Sequence, residues 1–158
     1  MDYCIRQINE SEYPLLNDFL YEAIFVPHGA AAPPRSIIEL PELQVYVSDF
    51  GSGEADICFV AESEGKVIGA AWSRIMDDYG HIENGVPSLA ISLYKQYRGQ
   101  GIGTTLMREV LAELKQKGYT KVSLSVQKAN SAVRLYRRLG FVAISETDEE
   151  YLMVNYLR

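Results

Sequence analysis

Cysteine and histidine are scarce in this 158-residue chain, which has two of each. Cys4 and Cys58 form no spaced pair and lie in apolar stretches, so we expect buried free thiols in a reducing compartment rather than a disulfide framework. His28 and His81 have no cysteine or histidine at the spacing of metal ligands, and we expect no metal site. The fold must therefore depend on a hydrophobic core, for which the chain is long enough.

Long hydrophobic runs are absent as well. No apolar segment approaches the roughly 20 residues that span a bilayer, and the N-terminus lacks the basic-then-apolar pattern of a signal peptide. The sequence contains no internal repeat, and its length is that of one domain. We expect a single domain over residues 1–158 that is soluble and cytoplasmic and has no membrane partner.

Charge is unevenly distributed in this chain, whose net charge is −6. Residues 94–138 contain ten Lys and Arg against two Asp and Glu, whereas the rest contains five against nineteen. A basic block in an acidic protein suits a small polyanion bound by one half and a cationic second substrate bound by the other. Solvated helix faces would give the same pattern. We expect no nucleic-acid partner.

Hydrophobic periodicity predicts elements in the order β-α-(α)-β-β-β-α-β-α-β-β, a mixed-sheet α/β domain. The predicted strands cover residues 3–8, 57–62, 66–75, 89–94, 122–127, 141–145 and 151–157. Gly118 and Gly140 are placed to end two helices. A Gly/Ala/Pro loop over residues 28–34 and a mixed segment reaching Gly53 predict either a surface connection or a lid over a site.

A glycine-rich segment, Arg98-Gly99-Gln100-Gly101-Ile102-Gly103-Thr104, lies between a predicted strand and an amphipathic helix. Its glycines allow a tight turn that brings bare backbone N–H groups, with a helix N-terminus behind them, close to an anion. A hydrogen bond to a charged group contributes roughly 1.5–3 kcal/mol, more than the about 0.3–1 kcal/mol of the helix dipole. The segment lacks the Gly-Lys-Ser/Thr of a Walker loop, and Thr104 and Leu106 stand where a dinucleotide fingerprint needs glycine.

The Arg-x-x-Gly-x-Gly pattern of this segment resembles that of the GCN5-related N-acetyltransferase (GNAT) family. Residues 89–93, Leu-Ala-Ile-Ser-Leu, look like the fourth strand of that family. Residues 130–141, Asn-Ser-Ala-Val-Arg-Leu-Tyr-Arg-Arg-Leu-Gly-Phe, resemble its second signature. The resemblance covers about residues 57–157, and the preceding part agrees in element order only. It implies the GNAT-like fold, a central twisted mixed β-sheet flanked by about four helices.

The resemblance also implies an N-acetyltransferase that moves acetyl from acetyl-CoA directly to a primary amine of a small cationic molecule or a peptide. In the family, the pyrophosphate of coenzyme A rests on the amides of the glycine turn, and the preceding strand binds the pantetheine arm. The residues implied in cofactor binding are Ile91, Ser92, Leu93, Arg98, Gly99, Gln100, Gly101, Ile102, Gly103, Thr104, Asn130 and Tyr136. Asn130 is equally suited to cap a helix. Three cations are candidates for the 3′-phosphate or for a solvated face: Lys128, Arg134 and Arg137.

Tyr136 resembles the general acid of the family, with core packing as its alternative role. Tyrosine has a pKa of about 10 and a cysteine-like thiol one of about 8.5, so complete proton transfer to the leaving thiolate would be uphill by roughly 2 kcal/mol. We expect a hydrogen bond that strengthens as charge develops on sulfur. For the base that deprotonates the amine, Glu83 is the first candidate. Three others follow it: Asp77, Asp78 and His81.

Other functions stay open on the residues alone. Relatives often carry an acidic residue at the place of Ser88, so a non-catalytic CoA-binding or regulatory module, with the glycine turn but no working base, is the main alternative. A binder of another phosphorylated ligand is a weaker one. The sequence does not fix the oligomeric state, and a homodimer is one option.

Overall fold

The computed structural model of the protein describes residues 2–157. Its strands are β1 (Cys4–Gln7), β2 (Ile57–Ser63), β3 (Lys66–Arg74), β4 (Ser88–Leu93), β5 (Lys121–Gln127), β6 (Val142–Glu146) and β7 (Glu150–Tyr156). Its α-helices are α1 (Leu16–Ala23), α2 (Pro41–Gln44), α3 (Ile102–Gln116) and α4 (Ala132–Arg138), and 3₁₀ turns occupy Glu10–Leu15, Arg35–Glu39 and Lys95–Tyr97. Within the described residues, no helix is both long and apolar enough to cross a membrane. The predicted order of elements is confirmed.

The seven strands form one mixed sheet in the order β1-β2-β3-β4-β5-β7-β6. Neighbouring strands are antiparallel except β4 and β5, which are parallel. A tight turn joins β2 to β3, and Glu64 and Gly65 in it have positive φ of 52° and 75°. The chain returns from β4 to β5 through α3, since parallel neighbours need a crossover connection.

The parallel strands β4 and β5 meet at one end only. Ser88 and Ser123 are Cα partners, and the Ser123 N–H donates to the Pro87 carbonyl at 3.0 Å. Among the described residues this is the one register pair between the two strands, although β4 stays paired with β3, and β5 with β7, along their whole lengths. The strands therefore diverge toward their carboxyl ends and open a cleft in the sheet.

Helices cover both faces of the sheet, because alternate residues of a strand point to opposite sides. Ile57, Phe59 and Ala61 of β2 pack in a cluster with α3. Cys58 and Val60, between them, pack in a second cluster with Leu16 and Phe19 of α1. The two clusters fix the sheet between α1 and α3, and thereby hold the walls of the cleft.

The two cysteines differ in their surroundings. Cys58 is buried, and burial raises the pKa of its thiol. Cys4 is exposed, so the prediction that both thiols are buried is wrong for Cys4. Its neighbours Tyr3 and Ile5 pack against the cluster around α3, and the alternation of side chains turns Cys4 to the other face of this four-residue edge strand.

Candidate active site

The opening between β4 and β5 forms a cleft of about 1410 Å³. Its walls come from residues 89–93 of β4 and 124–127 of β5, and the starts of α3 and α4 line it as well. Parts of the segment over residues 20–46 line the remaining side. Single-ligand pockets are usually about 300–1,000 Å³, so this cleft has room for a long ligand together with a second one.

The glycine turn leaves donors free at the start of α3. Gly101 precedes the helix and offers no side-chain cap. Among residues 2–157, the N–H groups of Ile102, Gly103 and Thr104 have no acceptor, whereas the next one, of Thr105, donates to the Gly101 carbonyl at 3.3 Å. Unpaired amides in the first turn of a helix form an anion site.

The glycines of the turn serve two different needs. Gly99 and Gly101 have φ of 74° and 84°, in the left-handed region that favours glycine. Gly103 has no such φ, but a Cβ there would lie 3.6 Å from Ile91 Cδ1 and 3.7 Å from Leu135 Cδ2. Gly103 therefore keeps space open between β4 and α4, where a larger side chain would intrude on the cleft.

Arg98 belongs to the same turn, but its side chain binds the ends of β4 and α1. Nε donates to the Leu93 carbonyl at 2.9 Å. Nη2 donates to the Glu22 carbonyl at 3.2 Å and lies 3.3 Å from a Glu22 carboxylate oxygen. Arg98 thus fastens the end of β4 to the end of α1. The Gln100 side chain donates to the Gln96 carbonyl at 3.0 Å. Both Arg98 and Gln100 are exposed.

Ile91, Ser92 and Leu93 line the cleft, as Thr104 and Asn130 do. The Ser92 hydroxyl is directed to α1, where it donates to the Phe19 carbonyl at 2.6 Å. Ile91 and Leu93 belong to the cluster around α3. Because β5 has diverged here, the main chain of this stretch presents an edge with no strand beside it.

Tyr136 lies on α4 with its ring packed edge-on against Phe141, the two ring centroids 5.8 Å apart. The side chain is buried but lines the cleft. Desolvation raises the pKa of Tyr136 to about 12. The hydroxyl is therefore neutral at physiological pH and, having no partner among residues 2–157, is free to donate to a ligand.

Asn130 stands at the start of α4, where its Oδ1 accepts the Ala132 N–H at 2.9 Å. Of the three cations that are candidates for the 3′-phosphate, Arg134 lines the cleft. Arg137 stacks over the Tyr151 ring at 5.3 Å, and Lys128 forms an ion pair with Glu146. Arg138, which the sequence did not single out, lines the cleft beside Arg134.

Glu83 does not lie in the cleft. Its side chain is 53% exposed and forms an ion pair with Lys121, the first residue of β5. That end of β5 is where it joins β4, away from the opening. The structure does not bring Glu83 to Tyr136 or to the glycine turn, and so lends its predicted role as the base no support.

Another carboxylate, that of Asp78, lies beside the register pair Ser88–Ser123, from which β4 and β5 diverge. The Ser88 hydroxyl donates to Asp78 Oδ1 at 2.7 Å. Burial and the charge of the nearby Asp78 carboxylate raise the pKa of Tyr46. Burial raises the pKa of Asp78, and the hydrogen bond from Ser88 only partly opposes it. Tyr46 lines the cleft. Sequence reasoning missed Tyr46, which lies in the long mixed segment and belongs to no motif.

Within residues 2–157, no three His, Cys, Asp or Glu side chains are grouped as a metal site would require. The two remaining candidates for the base are His81 and Asp77. The Nδ1 of His81 is buried and has no hydrogen-bond partner within residues 2–157, and Asp77 is exposed.

Comparisons with known proteins agree on one family. Residues 17–141 match the sequence model of the acetyltransferase (GNAT) family. The chain is 39% identical over 98 residues to human N-acetyltransferase 8B, which covers 61% of this chain and 41% of that protein. It is 32% identical over 111 residues to an N-alpha-acetyltransferase of Sulfurisphaera tokodaii, which covers 60% of this chain and 66% of that protein. The match to the human protein thus spans less than half of its length.

A solved structure agrees in fold. The paia N-acetyltransferase of Thermoplasma acidophilum, crystallised in complex with coenzyme A, superposes with a TM-score of 0.72 at 19% identity. The superposition covers 99% of both chains. The mixed seven-stranded sheet with the four helices of residues 2–157 is therefore the fold that the family resemblance led us to expect.

Proposed function

Because the chain belongs to the acetyltransferase (GNAT) family, we propose that it is an N-acetyltransferase that moves acetyl from acetyl-CoA directly to a primary amine. The observation that supports this most is the cleft itself. Three free amides at the start of α3 and the unpartnered hydroxyl of Tyr136 line one cavity between two diverging strands. A phosphate group and a reacting thioester can therefore be bound along one continuous surface.

The residues of the cleft fit acetyl-CoA, which would supply an activated acyl group as a thioester. The N–H groups over residues 102–104 would bind the diphosphate. The free edge of β4 at residues 91–93 would pair with the amides of the pantetheine arm, as a neighbouring strand would. Arg134 and Arg138 offer positive charge on the cleft for the 3′-phosphate.

Tyr136 would act as a hydrogen-bond donor to sulfur rather than as a complete acid. With its pKa raised to about 12, full proton transfer to a thiolate whose conjugate acid has a pKa of about 8.5 is uphill by roughly 5 kcal/mol. A hydrogen bond that strengthens as charge develops avoids this cost. The same raised pKa keeps Tyr136 protonated throughout the physiological range.

The lining of the acceptor side favours an amine with an apolar body. Its side chains are mainly apolar or aromatic: Phe25, Val26, Ile37, Leu43, Tyr46 and Tyr79. The carboxylate of Glu22 also lines the cleft, but Arg98 already contacts it. We therefore favour a peptide amine over a polycation within the range of amines expected. A cytoplasmic location is part of the proposal, because both cysteines are free thiols and a reducing compartment preserves these.

A non-catalytic CoA-binding module would use the same cavity. The main argument for it is the serine at position 88, where relatives often carry an acid. Asp78 weakens that argument, since its carboxylate lies 2.7 Å from the Ser88 hydroxyl.

Two measurements test the proposal. Calorimetric titration with CoA should give heat that excess ATP does not abolish. Acetyl-CoA offered with a panel of peptides, amino acids, polyamines and aminoglycosides should release free thiol with at least one class, and we expect peptides to be the best. Binding without turnover on every acceptor would favour the non-catalytic module, and no binding of CoA would overturn both.

A further inference from the structure

We propose that Tyr46, Asp78 and Ser88 form the relay that takes the proton from the acceptor amine, an inference that rests on the acetyltransferase activity proposed above. The three residues come from separate parts of the chain: the segment after α2, the β3–β4 connection and the first position of β4.

The β3–β4 connection is fixed at the point where β4 and β5 part. The Ser123 hydroxyl of β5 donates to the Gly80 carbonyl at 2.5 Å. Gly80 lies so close to β5 that a Cβ there would be 3.1 Å from Leu124 Cα. On the other side, the Ser88 hydroxyl of β4 donates to Asp78. The Asp78 carboxylate is thus held between the two strands at the base of the opening.

Tyr46 connects this carboxylate to the cleft. Tyr46 lines the cavity and lies close enough to the Asp78 carboxylate for that charge to raise the pKa of its hydroxyl. Its main chain is anchored, since the Tyr46 carbonyl accepts the Nε1–H of Trp72 at 3.0 Å and Trp72 is fully buried. This hydrogen bond fixes the point on the main chain from which the Tyr46 side chain extends.

The proton transfers involve Tyr46 and Asp78, and Ser88 positions Asp78 through its hydrogen bond. The acceptor enters as an ammonium ion, which gives a proton to the Tyr46 oxygen while the Tyr46 hydroxyl proton passes to Asp78. Tyr46 ends as a neutral phenol, Asp78 as a carboxylic acid and the acceptor as a free amine. When the C–N bond forms and the C–S bond breaks, the second nitrogen proton ends on the thiol of coenzyme A. Asp78 returns its proton to solvent along the same path.

Asp78 is the residue that stores the proton. Burial and the neighbouring Asp78 charge raise the pKa of Tyr46, so a lasting phenolate is excluded. Burial raises the pKa of Asp78, which makes its carboxylate a stronger base. The Ser88 hydroxyl contacts the Asp78 carboxylate at 2.7 Å, and Tyr46 and the Gly80 main chain lie close to it. The main-chain N–H of His81 donates to the Asp78 carbonyl at 3.2 Å. An α-amino group, with a pKa of about 7.7–8, is a closer match to a carboxylate than a lysine amine at about 10.4.

The test compares Asp78→Asn and Tyr46→Phe with the wild type, using one peptide acceptor over a range of pH. At pH 7 each variant should lose about 10²-fold in kcat/KM, with the CoA dissociation constant and the melting temperature little changed. The loss should shrink above the pKa of the acceptor amine, because the amine then arrives deprotonated. Ser88→Ala should give a smaller loss of the same form.

The outcomes separate the two proposals. Wild-type protein that never releases thiol contradicts the activity itself. An active wild type whose Asp78→Asn and Tyr46→Phe variants keep the full rate overturns the relay alone, as does a loss that stays constant with pH. The Glu83→Gln variant tests the alternative base, and we expect its rate to match that of the wild type. A pH-dependent loss of rate in Glu83→Gln, with none in the other variants, would identify Glu83 as the base.

Discussion

Arg74 and Asp56 form a buried ion pair, with Nη2 3.0 Å from Oδ2 and Nε 3.2 Å from Oδ1. Their side chains are 9% and 3% exposed. Arg74 also donates to the carbonyls of Val45 and Ser48, at 3.1 and 2.7 Å. The pair therefore fastens the segment around Tyr46 to the end of β3, and the acceptor side of the cleft depends on it.

Removal of one partner of this pair should be costly, because the other is left buried and charged. We expect Asp56→Ala to reduce the free energy of unfolding by about 3–5 kcal/mol, measured by urea denaturation. The double variant Asp56→Ala/Arg74→Met, which removes both charges, should recover part of the loss. A single-variant loss below about 1 kcal/mol, the range of exposed pairs, would contradict a buried pair.

Tyr136→Phe tests the hydrogen bond to the leaving sulfur. Since the Tyr136 hydroxyl has no partner within residues 2–157, its loss should leave stability nearly unchanged while kcat falls about 10²-fold. The CoA dissociation constant should change little. Tyr119→Phe is the matched control, because the Tyr119 hydroxyl lies 3.4 Å from Glu54, outside the cleft. Equal kcat in the two variants would remove Tyr136 from the reaction.

Gly101 and Gly118 provide a matched pair for the anion site at the two ends of α3. Both have left-handed φ, of 84° and 96°, and a Cβ at either would have no neighbour within 4 Å. Alanine at either position should therefore reduce the free energy of unfolding by a similar amount, roughly 1–2 kcal/mol, through backbone strain. Only Gly101→Ala disturbs the turn that exposes the amides, so only it should weaken CoA binding, measured by calorimetry. Equal affinity in both variants would refute a main-chain anion site.

Glu12 should contribute to stability against acid. Both its oxygens accept hydrogen bonds at 2.8 Å from Arg6, which also binds Glu62. The hydrogen bonds from Arg6 are the main reason that the pKa of Glu12 is lowered to about 2. The ionised carboxylate therefore stabilises the folded state at pH values above the pKa of glutamate in the unfolded chain, about 4.3. This stabilisation is lost as the pH falls through 2.

The comparison is between wild type and Glu12→Gln, followed by urea denaturation from pH 7 to pH 2. The variant should be less stable at pH 7, and its deficit should narrow below about pH 4. Glu10→Gln, in the same turn and exposed, is the control. A deficit that is constant with pH would show that the charge of Glu12 is not what stabilises the fold.

The order of strands and helices follows from periodicity, because each element's buried face is a local property of the sequence. The divergence of β4 from β5 is not local. It depends on how α3, α4 and the β3–β4 connection pack around the two strands, and a strand with a free edge has the same alternation as a paired one. Cys4 shows the same limit, since apolar neighbours did not reveal which face of β1 is covered.

In the candidate site, the sequence predicted the parts that backbone motifs specify and did not predict the contacts that distant side chains make. The glycine turn and Tyr136 carry recognisable patterns. The choice among Asp77, Asp78 and Glu83 depends on which carboxylate the connection turns inward, and a separation of a few residues in sequence does not decide that. Tyr46 meets Asp78 across more than thirty positions of sequence.

The gap in the sheet also has a consequence for motion. β4 is paired with β3, and β5 with β7, along their whole lengths. Across the gap, the described residues of β1–β4 and β5–β7 share one register pair, and the two halves otherwise depend on helix packing and on contacts of the β3–β4 connection with β5. We expect the two halves to open as separate cooperative units, whose amides exchange with solvent at different rates. A pantetheine arm bound in the gap would hydrogen-bond along β4 and connect the two halves. Saturation with coenzyme A should therefore slow amide exchange along β4 and make both halves open together.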